Sequence, residues 1–325
     1  MARDYQSPFS RSLLRRMMTR RALQEHGDAD ARRSPLRNTW QDNLHPALFE
    51  HAEALVRGGL PLHDHARALN SSQCFAMNLF LPFAVGSPEG LASFLSTRLG
   101  RTVRVRGIDI EYYGSGDILA EVAGSIPNED ERFTAADVAV HLEDEKGDIG
   151  LAIVEVKLSE SGFTPCGGRR SRGNRNDAAC RSLELMFASP DRCYLQRPYR
   201  AVRDRRYWAI FSQEHGDMTA AFPRVDTQEC PFATDWQQPM RNHALCLGHA
   251  QAGLASFWLL ALVHHDDNHD VVDPWEAYRA ATADAQHIHR WPASTLIDPI
   301  EAALPSSSPP IGTWLRDRYL LEVDA

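Results

Sequence analysis

Ala136-Asp137-Val138-Ala139-Val140-His141-Leu142 and Leu151-Ala152-Ile153-Val154-Glu155-Val156-Lys157-Leu158 are two stretches that alternate in polarity and are rich in Val, Ile and Leu. Residues 143–148 between them are mostly charged and contain a glycine, which is typical of a turn. The pattern therefore predicts a β-hairpin. If the turn is centred near Lys146, Asp137 and Glu155 lie opposite one another on the same face of that hairpin.

Lys157 is expected on the face that carries Glu155, because every second side chain of a strand lies on one face, about 7 Å further along. Two carboxylates and one amine would then converge from Asp137, Glu155 and Lys157. Carboxylate oxygens hold Mg²⁺ while the ion keeps several waters, and a nearby cation can orient the attacking water or stabilise developing phosphate charge. These residue types therefore fit phosphodiester hydrolysis.

The competing interpretation is a surface hairpin with solvated charges. Against it, Glu155 and Lys157 interrupt an otherwise apolar strand of a kind that is normally buried, where an unpaired charge is costly. The chain also contains only two lysines, Lys146 and Lys157, among its 35 basic residues. Because a buried ammonium group can shift its pKa and a guanidinium cannot, a lysine on a core strand favours an active metal site.

The spacing of these residues resembles a known motif. The chain has Asp137 and, after seventeen intervening residues, Glu155-Val156-Lys157. This arrangement resembles the D…(D/E)xK signature of the PD-(D/E)XK nuclease superfamily. Ala136 stands where that superfamily usually has proline. Residues 71–80 and 237–244 are also similar to a bacterial branch of the superfamily. The resemblance covers roughly residues 70–265.

The resemblance implies an α/β fold with a restriction-endonuclease-like αβββαβ core, in which a mixed sheet is flanked by helices. It also implies a metal-dependent nuclease that hydrolyses phosphodiester bonds of DNA, with RNA as the alternative substrate. In this interpretation Asp137 and Glu155 bind Mg²⁺ or Mn²⁺, and Lys157 orients or activates the attacking water.

Other elements of the core are expected on both sides of the hairpin. Helical spacing at residues 66–83 predicts a helix that leads into the core, with Asn70 or Ser71 as its N-cap. Residues 103–113 are predicted to form the first strand, and residues 118–123 to continue the sheet. Glu111, near the end of the first strand, is a further candidate for a catalytic acid.

After the hairpin, the sequence predicts a helix that opens at residues 234–245 and a buried strand at residues 255–263. In the superfamily that this chain resembles, the helix after the motif often supplies a polar residue to the active site. Gln238 is the catalytic candidate here, with Arg241 and Asn242 as alternatives. Residues 264–270 consist of histidine, aspartate and asparagine, which can ligate a metal, but they also have the composition of an exposed loop.

A strongly basic segment follows the second strand of the hairpin. Residues 166–206 contain eleven arginines and four acidic residues, in a chain whose net charge is −8. This local excess predicts contact with a polyanion, whereas the competing interpretation is a solvated, arginine-rich loop. The nucleic-acid-binding candidates are four arginines of a glycine-rich loop, which can form paired hydrogen bonds with phosphates: Arg169, Arg170, Arg172 and Arg175.

The chain has six cysteines and no CxxC motif. Two of them fall within apolar helical patterns and are expected in the core, whereas four lie among turns and polar residues: Cys166, Cys180, Cys193 and Cys230. In a cytosolic setting such a set favours a metal held by thiolates over disulfides, with a 4Fe-4S cluster, zinc and free thiols all open. Some exonuclease branches of the superfamily carry a Cys-ligated iron–sulfur cluster, and this set resembles such a ligand set.

The chain of 325 residues, with 43% hydrophobic and 24% charged residues, has the composition of a soluble globular protein. Its longest apolar run is too short to span a bilayer, and its start lacks the apolar region of a secretory signal. We therefore expect a cytoplasmic protein with no membrane segment. Residues 1–38 are predicted to be a basic, partly flexible arm with a short helix at residues 10–21, and residues 39–325 a nuclease domain with a C-terminal helical extension.

The main functional hypothesis is therefore a Mg-dependent nuclease, and the sequence is compatible with a homodimer. The alternative is a non-catalytic nucleic-acid-binding module, in which the hairpin is structural and a Cys-bound metal staples the fold. A third interpretation is a regulatory protein with a decayed nuclease fold that binds a protein partner.

Overall fold

A five-stranded sheet lies at the centre of the residues that the computed structural model describes, which are 7–26, 35–114, 118–121, 134–169, 171–174, 177–194 and 205–321. Its strands follow the order β1 Val103–Tyr112, β2 Ala136–Asp144, β3 Ile149–Lys157, β4 Phe257–His264 and β5 Ile288–Pro292. The first three strands pair in antiparallel fashion, whereas β4 pairs with β3 and β5 pairs with β4 in parallel. The predicted mixed sheet is confirmed.

Twelve α-helices accompany the sheet in the described part of the chain, joined in places by single turns of 3₁₀ helix. They are α1 Pro8–His26, α2 Phe49–Arg57, α3 Ser72–Val85, α4 Glu89–Leu99, α5 Asp177–Cys180, α6 Leu183–Ala188, α7 Tyr207–His215, α8 Met218–Ala221, α9 Gln237–Gln251, α10 Val272–Ala281, α11 Ile297–Ala303 and α12 Ile311–Tyr319. The chain order from α3 through the three antiparallel strands to α9 and β4 is that of the predicted αβββαβ core. The predicted restriction-endonuclease-like α/β fold class is therefore confirmed.

The predicted hairpin is formed by β2 and β3. Asp144 holds its turn, because its Oδ1 accepts hydrogen bonds from two backbone N–H groups of the turn at 2.9 and 3.0 Å. Gly147 has a φ of 84°, a left-handed conformation that glycine adopts without steric cost. Val138 pairs with Val154, which is the register expected from a turn centred at position 146.

Different helices cover the two faces of the sheet, because side chains alternate along each strand. Val138 and Val154 belong to a core that includes residues of α3, α4, α11 and α12. Ala139 and Ile153 belong to a second core that includes residues of α7, α9 and α10. Glu155 follows Ile153 by two positions, so its side chain lies on the face covered by α9.

Helix α3 begins later than the sequence predicts. The apolar periodicity starts at Ala66, but the helix begins at Ser72. Ser71 is its N-cap, because its Oγ accepts a hydrogen bond from the backbone N–H of Cys74 at 3.3 Å, and this position of the cap is confirmed. Ala66 and Leu69 are buried in turns before the helix, so their spacing reflects tertiary packing.

The prediction of a strand at residues 118–123 is wrong where the structure describes that segment. Its first two residues form a turn, and Ala120 has a φ of 52°, which is incompatible with a strand. The buried carboxylate of Glu121 accepts a hydrogen bond from the backbone N–H of Thr134 at 2.7 Å. This bond holds the segment beside the start of β2, outside the sheet.

The predicted basic helix near the N-terminus is confirmed as α1, which is longer than expected. Leu13 and Met17 are buried and place one side of α1 in the core. The division of the chain after residue 38 and the flexibility of the arm stay predictions, as does the cytoplasmic location. Neither α1 nor any other helix in the described residues is long and apolar enough to cross a membrane.

The two histidines that follow the apolar part of β4 are buried, although the composition predicts an exposed loop. His264 and His265 are 1% and 0% exposed. In His264, Nδ1 donates to the backbone oxygen of His265 at 2.7 Å, and Nε2 lies 3.2 Å from Nη1 of Arg290. Because a guanidinium can only donate, Nε2 accepts and the ring is neutral. Burial is the main cause that lowers the pKa of His264 to about 4, and the charge of Arg290 acts in the same direction.

We expect His264 to make the protein sensitive to acid. Its pKa in the folded state lies below the ordinary value of 6.5, so between these values the unfolded chain binds a proton that the folded chain does not. The free energy of unfolding should therefore fall by about 3 kcal/mol on this account as the pH falls from 6.5 to 4. Urea denaturation across this range should show a smaller loss for His264→Gln than for the wild type. His65→Gln, at an exposed histidine, is the control, and equal profiles for the two variants would contradict this prediction.

Candidate active site

Asp137 lies opposite Glu155 in the hairpin. The last pair of the β2–β3 ladder is Val138 with Val154, and one further position along each strand brings the two acids to face each other, as the sequence predicts. The backbone N–H of Val156 donates to Asp137 Oδ2 at 2.7 Å. The carboxylate of Asp137 is therefore held against the end of β3.

Lys157 forms a buried ion pair with Glu155. Its Nζ lies 2.8 Å from Glu155 Oε1, and the two residues are 8% and 1% exposed. Buried charges of this kind require further hydrogen bonds to offset their desolvation. Gln238 donates through Nε2 to Glu155 Oε1 at 2.6 Å, and Asn242 donates through Nδ2 to Glu155 Oε2 at 2.7 Å. Both carboxylate oxygens of Glu155 are thus held by side chains of α9.

The predicted candidate on this helix, Gln238, connects the ion pair to the loop after β3. Its Oε1 accepts hydrogen bonds from Lys157 Nζ at 3.4 Å and from the backbone N–H of Thr164 at 3.2 Å. Asn242 lies one helical turn further along α9 and therefore faces the same way. Arg241 is directed to a different partner set: its Nε donates to Thr134 Oγ1 at 2.8 Å, and its Nη2 lies 3.4 Å from Glu121 Oε1.

The charges of this cluster influence one another. Burial alone would lower the pKa of Lys157, but the negative charges of Glu155, Glu160 and Asp137 outweigh it and raise that pKa. Lys157 is therefore a cation at neutral pH. Desolvation raises the pKa of Asp137 well above its ordinary value, and the charge of Glu155 raises it further. A divalent cation would relieve this repulsion, because it favours the ionised form of both acids.

Glu111 joins this acidic cluster from the end of β1. Its φ is 56°, a left-handed conformation that a residue with a side chain seldom adopts, and such strain clusters at functional sites. Glu111 Oε1 accepts a hydrogen bond from Gln73 Nε2 at 3.0 Å and lies 3.0 Å from His63 Nε2. Its charge also raises the pKa of Asp137, which places it near that acid.

Sequence reasoning misses His63 and Gln73, which complete this side of the site. Gln73 Oε1 accepts the backbone N–H of His63 at 2.9 Å, so one amide group holds both His63 and Glu111. The hydrogen bond to Glu111 raises the pKa of His63 despite partial burial. A polar residue within the apolar stretch of α3 is the signal that could identify Gln73. His63 lies in a loop where no pattern marks it.

The donors of this cluster fit a hard divalent cation. Carboxylates such as those of Asp137 and Glu155 are the ligands that Mg²⁺ prefers, and Asn242 Oδ1 is buried without a hydrogen-bond partner. Among the described residues, no group of three or more His, Cys, Asp or Glu side chains is arranged to hold a metal ion. A bound ion would therefore take two carboxylates from the protein and complete its coordination with water and substrate oxygens, as Mg²⁺ commonly does.

A cleft of about 460 Å³ opens beside the ion pair. It is lined by Lys157, by the loop after β3, by Asp235 and by Ser10 of α1. Glu160 orders the start of that loop, because its Oε2 accepts two backbone N–H groups at 2.9 Å each. Lys157 can therefore contact a ligand that enters the cleft.

We expect Asn242→Ala to weaken Mn²⁺ binding by about 10- to 100-fold, because it removes a hydrogen bond that orients the predicted ligand Glu155. Calorimetric titration with Mn²⁺ measures this affinity. Gln251→Ala is the matched control on the same helix, since the amide of Gln251 donates to the backbone oxygen of Ile210 at 2.8 Å. If both variants bind Mn²⁺ as the wild type does, Asn242 has no orienting role.

The structure describes only two of the four arginines predicted to bind nucleic acid. Arg169 Nη2 lies 2.6 Å from Glu229 Oε2, and Arg172 is exposed. Arg170 and Arg175 lie outside the described residues. Nucleic-acid binding by this loop stays a prediction.

The four cysteines of the polar region lie in the same part of the fold, but their side chains are not among any described group arranged to hold a metal ion. The backbone N–H of Cys230 donates to the backbone oxygen of Cys180 at 3.2 Å, and that of Cys166 donates to Ala233 at 3.4 Å. Burial raises the pKa of the Cys230 thiol, and the neighbouring thiols of Cys193, Cys180 and Cys166 raise it further. None of the four forms a disulfide within the described part of the chain. A metal held by this set stays a prediction.

A family model described as Restriction Endonuclease associating with ARP (REase-ARP) matches residues 6–320. The chain belongs to the REase-ARP family. The REase-ARP match spans every strand and helix that the structure describes, including the hairpin and α9. Its description indicates a nuclease-like function, and the restriction-endonuclease-like fold class agrees with it. Comparisons with curated proteins and with solved structures gave no match.

Proposed function

We propose that this protein is a metal-dependent nuclease of the PD-(D/E)XK superfamily, which hydrolyses phosphodiester bonds of DNA. The observation that carries this proposal is the convergence of Asp137, Glu155 and Lys157 at the end of the hairpin, where α9 holds both oxygens of Glu155. Membership of the REase-ARP family supports it independently.

Asp137 and Glu155 would hold Mg²⁺ or Mn²⁺ through their carboxylate oxygens. Such an ion supplies an acidified water and stabilises negative charge on the phosphate. Gln238 and Asn242 position Glu155 for this task through their hydrogen bonds. Since desolvation raises the pKa of Asp137, ion binding is expected to release a proton from the site.

Lys157 would act as a cation. The negative charges of Glu155, Glu160 and Asp137 outweigh burial and raise its pKa, so the amine is a cation at neutral pH. An ammonium group has three donors, of which contacts with Glu155 and Gln238 use part. The remaining capacity can orient the attacking water or stabilise the developing charge on the phosphate.

The experiment that tests this proposal is cleavage of linear and of closed circular DNA by the purified chain in Mg²⁺ or Mn²⁺. We expect cleavage that EDTA abolishes and that Lys157→Ala lacks. Cleavage of circular DNA would identify an endonuclease, whereas cleavage of the linear form alone would identify an exonuclease. If the wild type binds DNA and cuts neither form nor RNA, the nuclease assignment falls.

The second candidate function is a nucleic-acid-binding module whose fold is stabilised by a metal bound to cysteines. The nearness of Cys166, Cys180 and Cys193 to Cys230 supports it, because four thiolates are a ligand set for zinc or an iron–sulfur cluster. A bound metal would have to draw these thiols closer together than the described residues place them. Metal analysis of anaerobically purified protein tests whether zinc or iron is bound, with Cys230→Ser as the comparison. Bound zinc or iron in a chain that binds DNA without cutting it would favour this candidate over the nuclease.

A further inference from the structure

Helix α1 packs against the turn that follows β4. The ring of Phe9 lies 5.6 Å from the ring of His265, and Arg16 Nη2 lies 3.0 Å from Asp267 Oδ2. Leu13, between them on the helix, is buried in the core. The contacts at Phe9 and Arg16 therefore fix α1 against the turn that follows β4.

This position brings α1 to the candidate active site. Strands β3 and β4 run parallel, and Lys157 pairs with His264, so the turn after β4 lies beside the end of β3 that carries Lys157. Ser10 of α1 and Lys157 also line the same cleft. The first turn of α1, at Ser10, is therefore part of the cleft wall.

The charge of α1 is opposite to that of the cleft. Five arginines lie between positions 11 and 21 of α1, and its only acidic residue is Glu25. The cleft, in contrast, contains Glu160 and Asp235 and adjoins the acids of the candidate metal site. Arg11 and Arg15 are exposed and lie one helical turn apart, on one side of α1.

We propose that the exposed side of α1, with Arg11 and Arg15, binds the phosphate backbone of duplex DNA at the mouth of the active-site cleft. The inference rests on the proposed function in taking DNA as the substrate. Guanidinium groups form paired hydrogen bonds with phosphate, and such contacts position a duplex without reading its sequence. Arg16 and Arg20 form ion pairs with Asp267 and Asp317, which hold α1 in place beneath the DNA.

The test is binding of the full chain to a short DNA duplex at several salt concentrations, in EDTA so that no metal-dependent cleavage occurs. We expect Arg11→Ala/Arg15→Ala to raise Kd by about tenfold and to reduce the slope of log Kd against log salt by about 2, because each lost phosphate contact removes about 0.9 from that slope. Urea denaturation checks that the variant folds like the wild type.

Arg104→Ala/Arg106→Ala is the matched control. It removes the same charge from two side chains that are 69% and 52% exposed and that pair with Glu143, at the hairpin end opposite Asp137. The control should keep the wild-type slope. If Arg11→Ala/Arg15→Ala also keeps that slope, or if the wild type does not bind duplex DNA, the inference is wrong.

The cleavage assay decides the proposed function separately. If the wild type does not cut DNA but the α1 variant binds DNA more weakly, the proposed DNA contact of α1 is supported and the nuclease assignment is wrong. If the wild type cuts DNA and the α1 variant binds DNA with unchanged affinity and unchanged salt dependence, the nuclease assignment is supported and the proposed DNA contact of α1 is wrong.

Discussion

Glu155→Gln is expected to reduce metal-dependent cleavage of DNA by at least about a hundredfold. The change keeps the size of the side chain and removes the negative charge that would hold the divalent ion. An ion at such a site contributes several kcal/mol of charge stabilisation in the transition state, and about 2.7 kcal/mol corresponds to a hundredfold in rate. Single-turnover cleavage with saturating protein measures the loss of rate without a contribution from weaker binding.

Asp137→Asn should produce a similar loss, because Asp137 faces Glu155 and would share the ion. Glu143→Gln is the matched control, since Glu143 lies on the same strand as Asp137 but at its other end, where it pairs with Arg104 and Arg106. That control should cut at the wild-type rate. Cleavage by Glu155→Gln within a few-fold of the wild type would rule out Glu155 as a metal ligand.

The hairpin could be predicted from the sequence because the interactions that form it are local. Strand alternation and the turn centred near Lys146 set the register, and the register alone brings Asp137 opposite Glu155. The buried strand β4 could also be predicted from its continuous apolar run, and the helix with Gln238 from the proline in its first turns. These elements account for the sheet and for the centre of the candidate site.

The rest of the candidate site depends on contacts between distant parts of the chain. His63 and Glu111 meet because Gln73 of α3 holds both, and no local pattern links a loop, a helix and a strand end. The failed prediction at residues 118–123 has a similar origin, since Glu121 bonds to Thr134 and draws the segment away from the sheet. Tertiary hydrogen bonds override local propensity at both places.

Lys157→Met is expected to lower the free energy of unfolding by about 3 kcal/mol as well as to abolish cleavage. Methionine has a similar length, so the change removes the charge and little packing. It leaves the carboxyl group of Glu155, which is 1% exposed, with the amides of Gln238 and Asn242 as its remaining side-chain donors among the described residues. Removal of one member of a buried ion pair typically costs about 3–5 kcal/mol. The two remaining hydrogen bonds place the expected value at the lower end of that range. Urea denaturation at neutral pH measures it.

The double variant Glu155→Gln/Lys157→Met separates lost pairing from lost packing. With no charge left on either side chain, the desolvation cost disappears, and we expect this variant to be more stable than Lys157→Met by about 2 kcal/mol. Addition of Mg²⁺ should stabilise Lys157→Met and should have less effect on the double variant, because only the former keeps both carboxylates for the ion. A double variant no more stable than Lys157→Met would mean that the lysine stabilises the fold by packing, and the interpretation of Glu155 and Lys157 as a coupled charged pair would then be wrong.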